Sequence, residues 1–139
     1  MSRSVRSLSK ISATVAFVIG LAQLTQAQFA VTTNGGSGLA ATYTSLADAI
    51  TALNAATITS AVVITCPTGT ETAPSAGYSI TAQGTAVNTI TIQGNGASNS
   101  IITAFAPQPT LPSAYIQAIF KLIGADYVVS SFLSLFVQH

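Results

Sequence analysis

Short alternating apolar runs, each closed by a glycine or proline turn, recur along this chain at nearly even distances. That spacing constrains the fold more than any other feature. The runs are Ala61 to Cys66 (AVVITC), Thr89 to Gln93 (TITIQ), Ser100 to Phe105 (SIITAF), Ala118 to Ile123 (AIFKLI) and Tyr127 to Ser131, with another short one at Tyr78 to Thr81. Val62 and Ile64 align with Ile90 and Ile92 at an offset of 28, and Ile90, Ile92 and Gly94 align with Phe120, Leu122 and Gly124 at an offset of 30. A period of ~20 to 50 residues, each unit giving an alternating strand and a glycine turn, is the pattern of a solenoid whose coils share one core. An antiparallel β-sandwich also has short strands, but at a usual spacing of ~8 to 12 residues.

One helix interrupts the strand pattern. Ser45 is placed to cap it and Asp48, three residues on, to complete a capping box. Leu46, Ile50 and Leu53 fall on one face, which predicts a short amphipathic helix over about Leu46 to Ala55. Before it, residues 28–42 are polar and glycine-rich, with NGGSG at Asn34 to Gly38, and read as a flexible leading segment.

Residues 1–27 read as a signal peptide. Arg3, Arg6 and Lys10 precede the apolar run Ile11 to Ala22, and Thr25-Gln26-Ala27 offers a small-residue cleavage site. The apolar run is shorter than the ~20 residues of a membrane span. Cleavage after Ala27 leaves Lys121 against Asp48, Glu71 and Asp126, a net charge of −2. So few cations exclude the basic patch that nucleic-acid binding needs. A second apolar stretch, Ile116 to Val137, contains Gln117, Lys121 and Asp126. A central Lys or Asp costs about 2.5–3.5 kcal/mol in a bilayer, so no stable span is expected after signal cleavage.

Three segments carry a resemblance: YTSLADAITALNAATITSAVVITCPTGT (Tyr43 to Thr70), VNTITIQGNGA (Val87 to Ala97) and FKLIGADYV (Phe120 to Val128). In order and spacing they resemble the N-terminal region of large exported right-handed parallel β-helix surface proteins. There a helix of the TLADAINALN type precedes strands of the PVVFNV and NTITFQG types and then LxGADYVTIDG. The resemblance implies an all-β, pectate-lyase-like solenoid over residues 43–128, its first coil covered by Leu46, Ile50 and Leu53, and export to the cell surface. Two departures stand out. Thr70-Glu71-Thr72 lacks the aromatic of the family's GTYTE turn, and after Val128 the TIDG turn is replaced by Val129 to Phe136. Residues 129–139 therefore read as an atypical tail, frameshifted or prematurely ended, and the chain as the start of something longer.

No catalytic, cofactor-binding or metal-ligating residue is assigned. Asp48 is explained as a helix cap. Glu71 and Asp126, 55 residues apart, read as solvated turn carboxylates rather than an acid–base pair. Cys66, the single cysteine, sits in VVITC and reads as a small buried apolar residue. One His (His139) and one Cys rule out the usual zinc sets within this chain, and three acids cannot supply a calcium site alone. Tyr78, Tyr115 and Tyr127 are candidates to stack on sugars, against the commoner role of packing within a sheet. The expected function is a non-catalytic, structural or adhesin-like part of a secreted or cell-surface solenoid, with carbohydrate or cell-surface ligands and self-association through an open end. The alternatives are a fragment of a polysaccharide-acting β-helix lyase or hydrolase whose site lies elsewhere, and a small complete secreted domain.

Overall fold

A computed structural model describes residues 28–96, 99–105, 118–131 and 133–136. The signal-peptide segment, Tyr115 and His139 lie outside these. The described chain is mostly strand with one helix, an all-β architecture: β1 (Val31–Thr33), β2 (Thr42–Tyr43), α1 (Leu46–Ala55), β3 (Val62–Cys66), β4 (Gly69–Thr72), β5 (Tyr78–Ile80), β6 (Ile90–Gly94), β7 (Ser100–Thr103), β8 (Phe120–Leu122), β9 (Val128–Ser131) and β10 (Leu133–Phe136).

The strands form three sheets, ordered β2-β1-β3-β6-β9, β10-β7-β4 and β5-β8. Strands β3, β4 and β5 each enter a different sheet, β6, β7 and β8 return to the same three in the same order, and β9 and β10 begin the next round. All of these pairings are parallel, whereas β1 runs antiparallel to both β2 and β3.

Period-two alternation decides which side chains enter the core, because successive residues on a strand point to opposite faces. Val62, Ile64 and Cys66 are buried, and their register partners Ile90, Ile92 and Gly94 continue the same columns. In the second sheet the inward columns run Gly69–Ser100–Leu133 and Glu71–Ile102–Leu135. In the third, Tyr78 lies on Phe120, with ring centroids 5.3 Å apart, and Ile80 on Leu122. One continuous core joins these columns with Leu46, Ala49, Ile50 and Leu53 of α1. Ser100 is the one polar residue in the fully buried set among the described residues. Its hydroxyl reaches the carbonyls of Cys66 (3.0 Å) and Pro67 (2.8 Å) and accepts from Asn95 N–H (2.9 Å), tying two successive corners together.

The expected offset of 28 is the register of β3 on β6. The expected offset of 30 is not a register. Ile90 pairs with Val128, 38 residues on, and Phe120 pairs with Tyr78. The second round is longer because the link between its second and third strands spans residues 104–119, against 73–77 in the first. The segment 28–42, read as a flexible lead, holds β1, whose Val31 is fully buried. Within residues 129–139, read as an atypical tail, 129–131 and 133–136 keep the parallel register in β9 and β10.

Gly77 marks a tight passage between successive rounds. Its φ of 71° is left-handed, and a Cβ there would lie 2.2 Å from the Ala118 carbonyl oxygen of the next round, so the turn into β5 admits no side chain.

Candidate functional site

Among the described residues, Asp48, Glu71, Cys66 and Tyr78 gather at one end of the strand stack, whereas Lys121 and Asp126 do not. Ser45, in extended conformation, accepts the Asp48 N–H at 3.1 Å and its hydroxyl donates to Asp48 Oδ2 at 2.9 Å; Thr44 donates to the same oxygen. These bonds, Thr44's first and Ser45's second, hold the Asp48 carboxyl below its ordinary range. The carboxylate is thus satisfied by hydroxyls rather than by the cap's own N–H, a variant of the expected capping box.

Glu71 is not a solvated turn residue. It sits within β4 at an inward position, in register with the fully buried Ile102, and is itself half-buried. Its Oε1 accepts from the Tyr78 hydroxyl at 2.7 Å and its Oε2 from the Leu46 N–H at 3.3 Å. The missing aromatic of the expected turn corresponds to this inward carboxylate, which fastens the first residue of α1 to the strand below. An N-terminal helical N–H carries partial positive charge and is a natural partner for a carboxylate. Burial, then the Glu71 hydrogen bond and charge, push the Tyr78 phenol far above its ordinary range. Cys66 is fully buried, and burial first, then the Glu71 charge, raise its thiol to about 12. It is therefore a protonated thiol with no nucleophilic role at neutral pH.

Two asparagines complete the same end. Asn54 of α1 donates to Ser79 O (2.8 Å) and accepts from the N–H groups of Thr81 (2.8 Å) and Ala82 (3.3 Å), covering the backbone of β5. Asn34 donates to Ala61 O (3.0 Å) and accepts from Val63 N–H (3.0 Å), doing the same where β1 stops short of the start of β3. An asparagine amide suits this place because it offers donor and acceptor at once, as a neighbouring strand would. Sequence reading missed both; a polar residue next to a strand-sized apolar run is the signal they leave.

Glu71 and Asp126 are not brought together. Glu71 faces the interior from β4, whereas Asp126 is exposed in the link between β8 and β9, where its carbonyl accepts from Gly84 N–H at 3.1 Å. Lys121 is exposed on β8. Tyr78 is buried, and Tyr127 is 55% exposed with a left-handed φ of 54°. Among the described residues no three His, Cys, Asp or Glu side chains gather to hold a metal. No helix is long and apolar enough to cross a membrane among them.

Two surfaces remain. Beside the N-terminus of α1 an open cleft of about 450 Å³ is lined by Gln28, Ala30, Thr42, Tyr43, Thr44 and Asp48. On the outer faces of the sheets, polar side chains stack in register: Gln93 donates to Thr65 Oγ1 at 3.2 Å and Thr72 and Thr103 hydroxyls bond at 3.1 Å. Comparison with protein-family models, with curated proteins and with solved structures finds no match to this chain.

Proposed function

We propose that the chain is the capped beginning of a right-handed parallel β-solenoid, exported to the cell surface or medium, whose role is structural or adhesin-like rather than catalytic. The observation that carries this reading is the return of β6, β7 and β8 to the sheets of β3, β4 and β5, in order and in parallel register. Parallel strands joined by crossovers within a sheet are right-handed in about 98% of cases, which supports the hand. The chemistry supports the role. Asp48, Glu71, Tyr78 and Cys66 are tied into the cap and core, and the outward ladders of Thr65, Gln93, Thr72 and Thr103 are neutral hydroxyls and an amide. A neutral face of hydroxyls and amides suits contact with carbohydrate or other cell-surface ligands. The basic-apolar-small order of residues 1–27 supports export.

The test has two parts. Expression in a secreting host, with N-terminal sequencing of the exported product, is expected to give Gln28 as the first residue. Cells displaying the chain are expected to bind a polysaccharide-coated surface more than cells without it. Retention inside the cell, or display with no gain in binding, overturns the reading.

A further inference from the structure

The strand that covers the edge of β3 begins almost where the exported chain would begin. Cleavage after Ala27 makes Gln28 the terminal residue, and Phe29 and Ala30 alone separate it from Val31. Val31 is fully buried and in register with Tyr43, and the next two residues of β1 pair with Thr65 and Ile64 of β3. Phe29 is half-buried against the core, its ring beside the start of β4: a Cβ on Gly69 would stand 3.9 Å from Phe29 Cδ2. The chain is thus anchored from its second exported residue. Gln28 itself is exposed, on the wall of the open cleft that it shares with Tyr43 and Asp48, and its carbonyl accepts from the Ala30 N–H at 2.7 Å.

We propose that Gln28 is a self-modification site: once residues 1–27 are removed, its α-amine closes on its own side-chain amide to give a pyroglutamyl terminus, and this lactam shields β1 from aminopeptidases. The proposal rests on the export reading above. In its neutral form the α-amine attacks Cδ, the new N–Cδ bond replaces the Cδ–Nε2 bond, and Nε2 leaves as ammonia with the proton that the amine gives up. No oxidant, water or other reactant enters. Amine and amide belong to one residue and close a five-membered ring, so the step is intramolecular and needs no second group brought into place.

The surroundings suit that chemistry. The ring takes in only the nitrogen, Cα and side chain of residue 28, so its carbonyl keeps the Ala30 bond and neither Phe29 nor β1 has to move. The open cleft gives ammonia a way out. The consequence lies in the distance to β1. An aminopeptidase requires a free α-amine, and exposed termini are where proteolysis concentrates. Removal of Gln28, Phe29 and Ala30 would leave Val31 as the terminal residue, and each further cut would shorten the strand that lies against β3 and bare its edge. A lactam, which has no free α-amine, stops that trimming at its first step.

The full chain exported from a secreting host, kept at neutral pH and sampled over days, is expected to lose the mass of one ammonia, with fragment masses placing the loss in the peptide that begins at residue 28. Gln28→Ser, which has no side-chain amide to attack, is expected to keep its mass. Treated with an aminopeptidase, the closed wild-type chain is expected to stay at full length while Gln28→Ser is shortened, and prior treatment with a pyroglutamyl peptidase is expected to make the wild-type chain equally vulnerable. A product that begins at Gln28 and keeps its ammonia overturns the proposal and leaves the export reading standing. Closure without protection, seen as Gln28→Ser being trimmed no faster than the closed wild-type chain, overturns the shielding. A product that begins at any other residue overturns the cleavage reading and the proposal together.

Discussion

The Tyr78 hydroxyl donates to Glu71 Oε1 at 2.7 Å, joining a phenol from one sheet to a carboxylate from another beneath the helix that covers both. Removing either partner leaves the other buried and short of a bond, which costs about 1–3 kcal/mol. Glu71→Ala is expected to lower stability by about 2–3 kcal/mol, because the Leu46 N–H loses its acceptor as well. Tyr78→Phe is expected to cost about 1–2 kcal/mol. Urea denaturation of both single variants and the double variant checks this. The double variant should cost less than the sum of the singles, and strict additivity contradicts the bond.

Asn54 stands in for a missing strand at β5. Asn54→Ala is expected to destabilise by about 1–3 kcal/mol. Hydrogen exchange gives the sharper readout: the Thr81 and Ala82 amides, both donors to Asn54 Oδ1, should lose protection while Ile92 keeps its own. Unchanged protection at Thr81 and Ala82 counts against the edge-covering role.

The Asp48 carboxyl is held below its ordinary value of 3.8 by Thr44 and then Ser45. A folded-state value below the unfolded one contributes stability above the unfolded value, lost as pH falls through the folded one. Melting temperature should therefore decline as pH falls through and below 3.8. Thr44→Val with Ser45→Ala should flatten that part of the decline. An unchanged slope in the double variant removes Asp48 from the account.

The Cys66 thiol, raised to about 12 by burial, gives the opposite dependence. The unfolded thiol ionises near 9.0 and the folded one does not, so stability falls as pH rises from about 9 toward about 12. Native protein at pH 8 should resist a thiol-modifying disulfide reagent and react fully in denaturant. Rapid labelling of the native chain contradicts the burial.

The helix was legible to its last residue because its signals are local: Ser45 before it, Asp48 in its first turn, and an apolar face at helical spacing. The first register was legible because β3 and β6 repeat V-x-I and I-x-I, each followed by a turn signal. The second was not. The link of residues 104–119 displaces the next round, and Phe120-Lys-Leu imitates the I-T-I pattern while belonging to another sheet. Glu71 was misread for a related reason, since whether a strand residue faces in or out depends on register, and Thr-Glu-Thr resembles any polar turn. β1 escaped notice because three residues, Val31-Thr32-Thr33, become a strand only through partners that arrive later in the chain.

The unequal links have a consequence for how such a chain can change. Ile102 keeps its place on Glu71, and Phe120 on Tyr78, although sixteen residues join β7 to β8 where five join β4 to β5. Longer flexible connections cost little extra in closure entropy, about 0.6 kcal/mol per doubling. The two registers hold whatever the length of that link, so a graft between residues 105 and 118, which leaves the buried Ala104 and Ile119 in place, is where new sequence could be added to an unchanged frame.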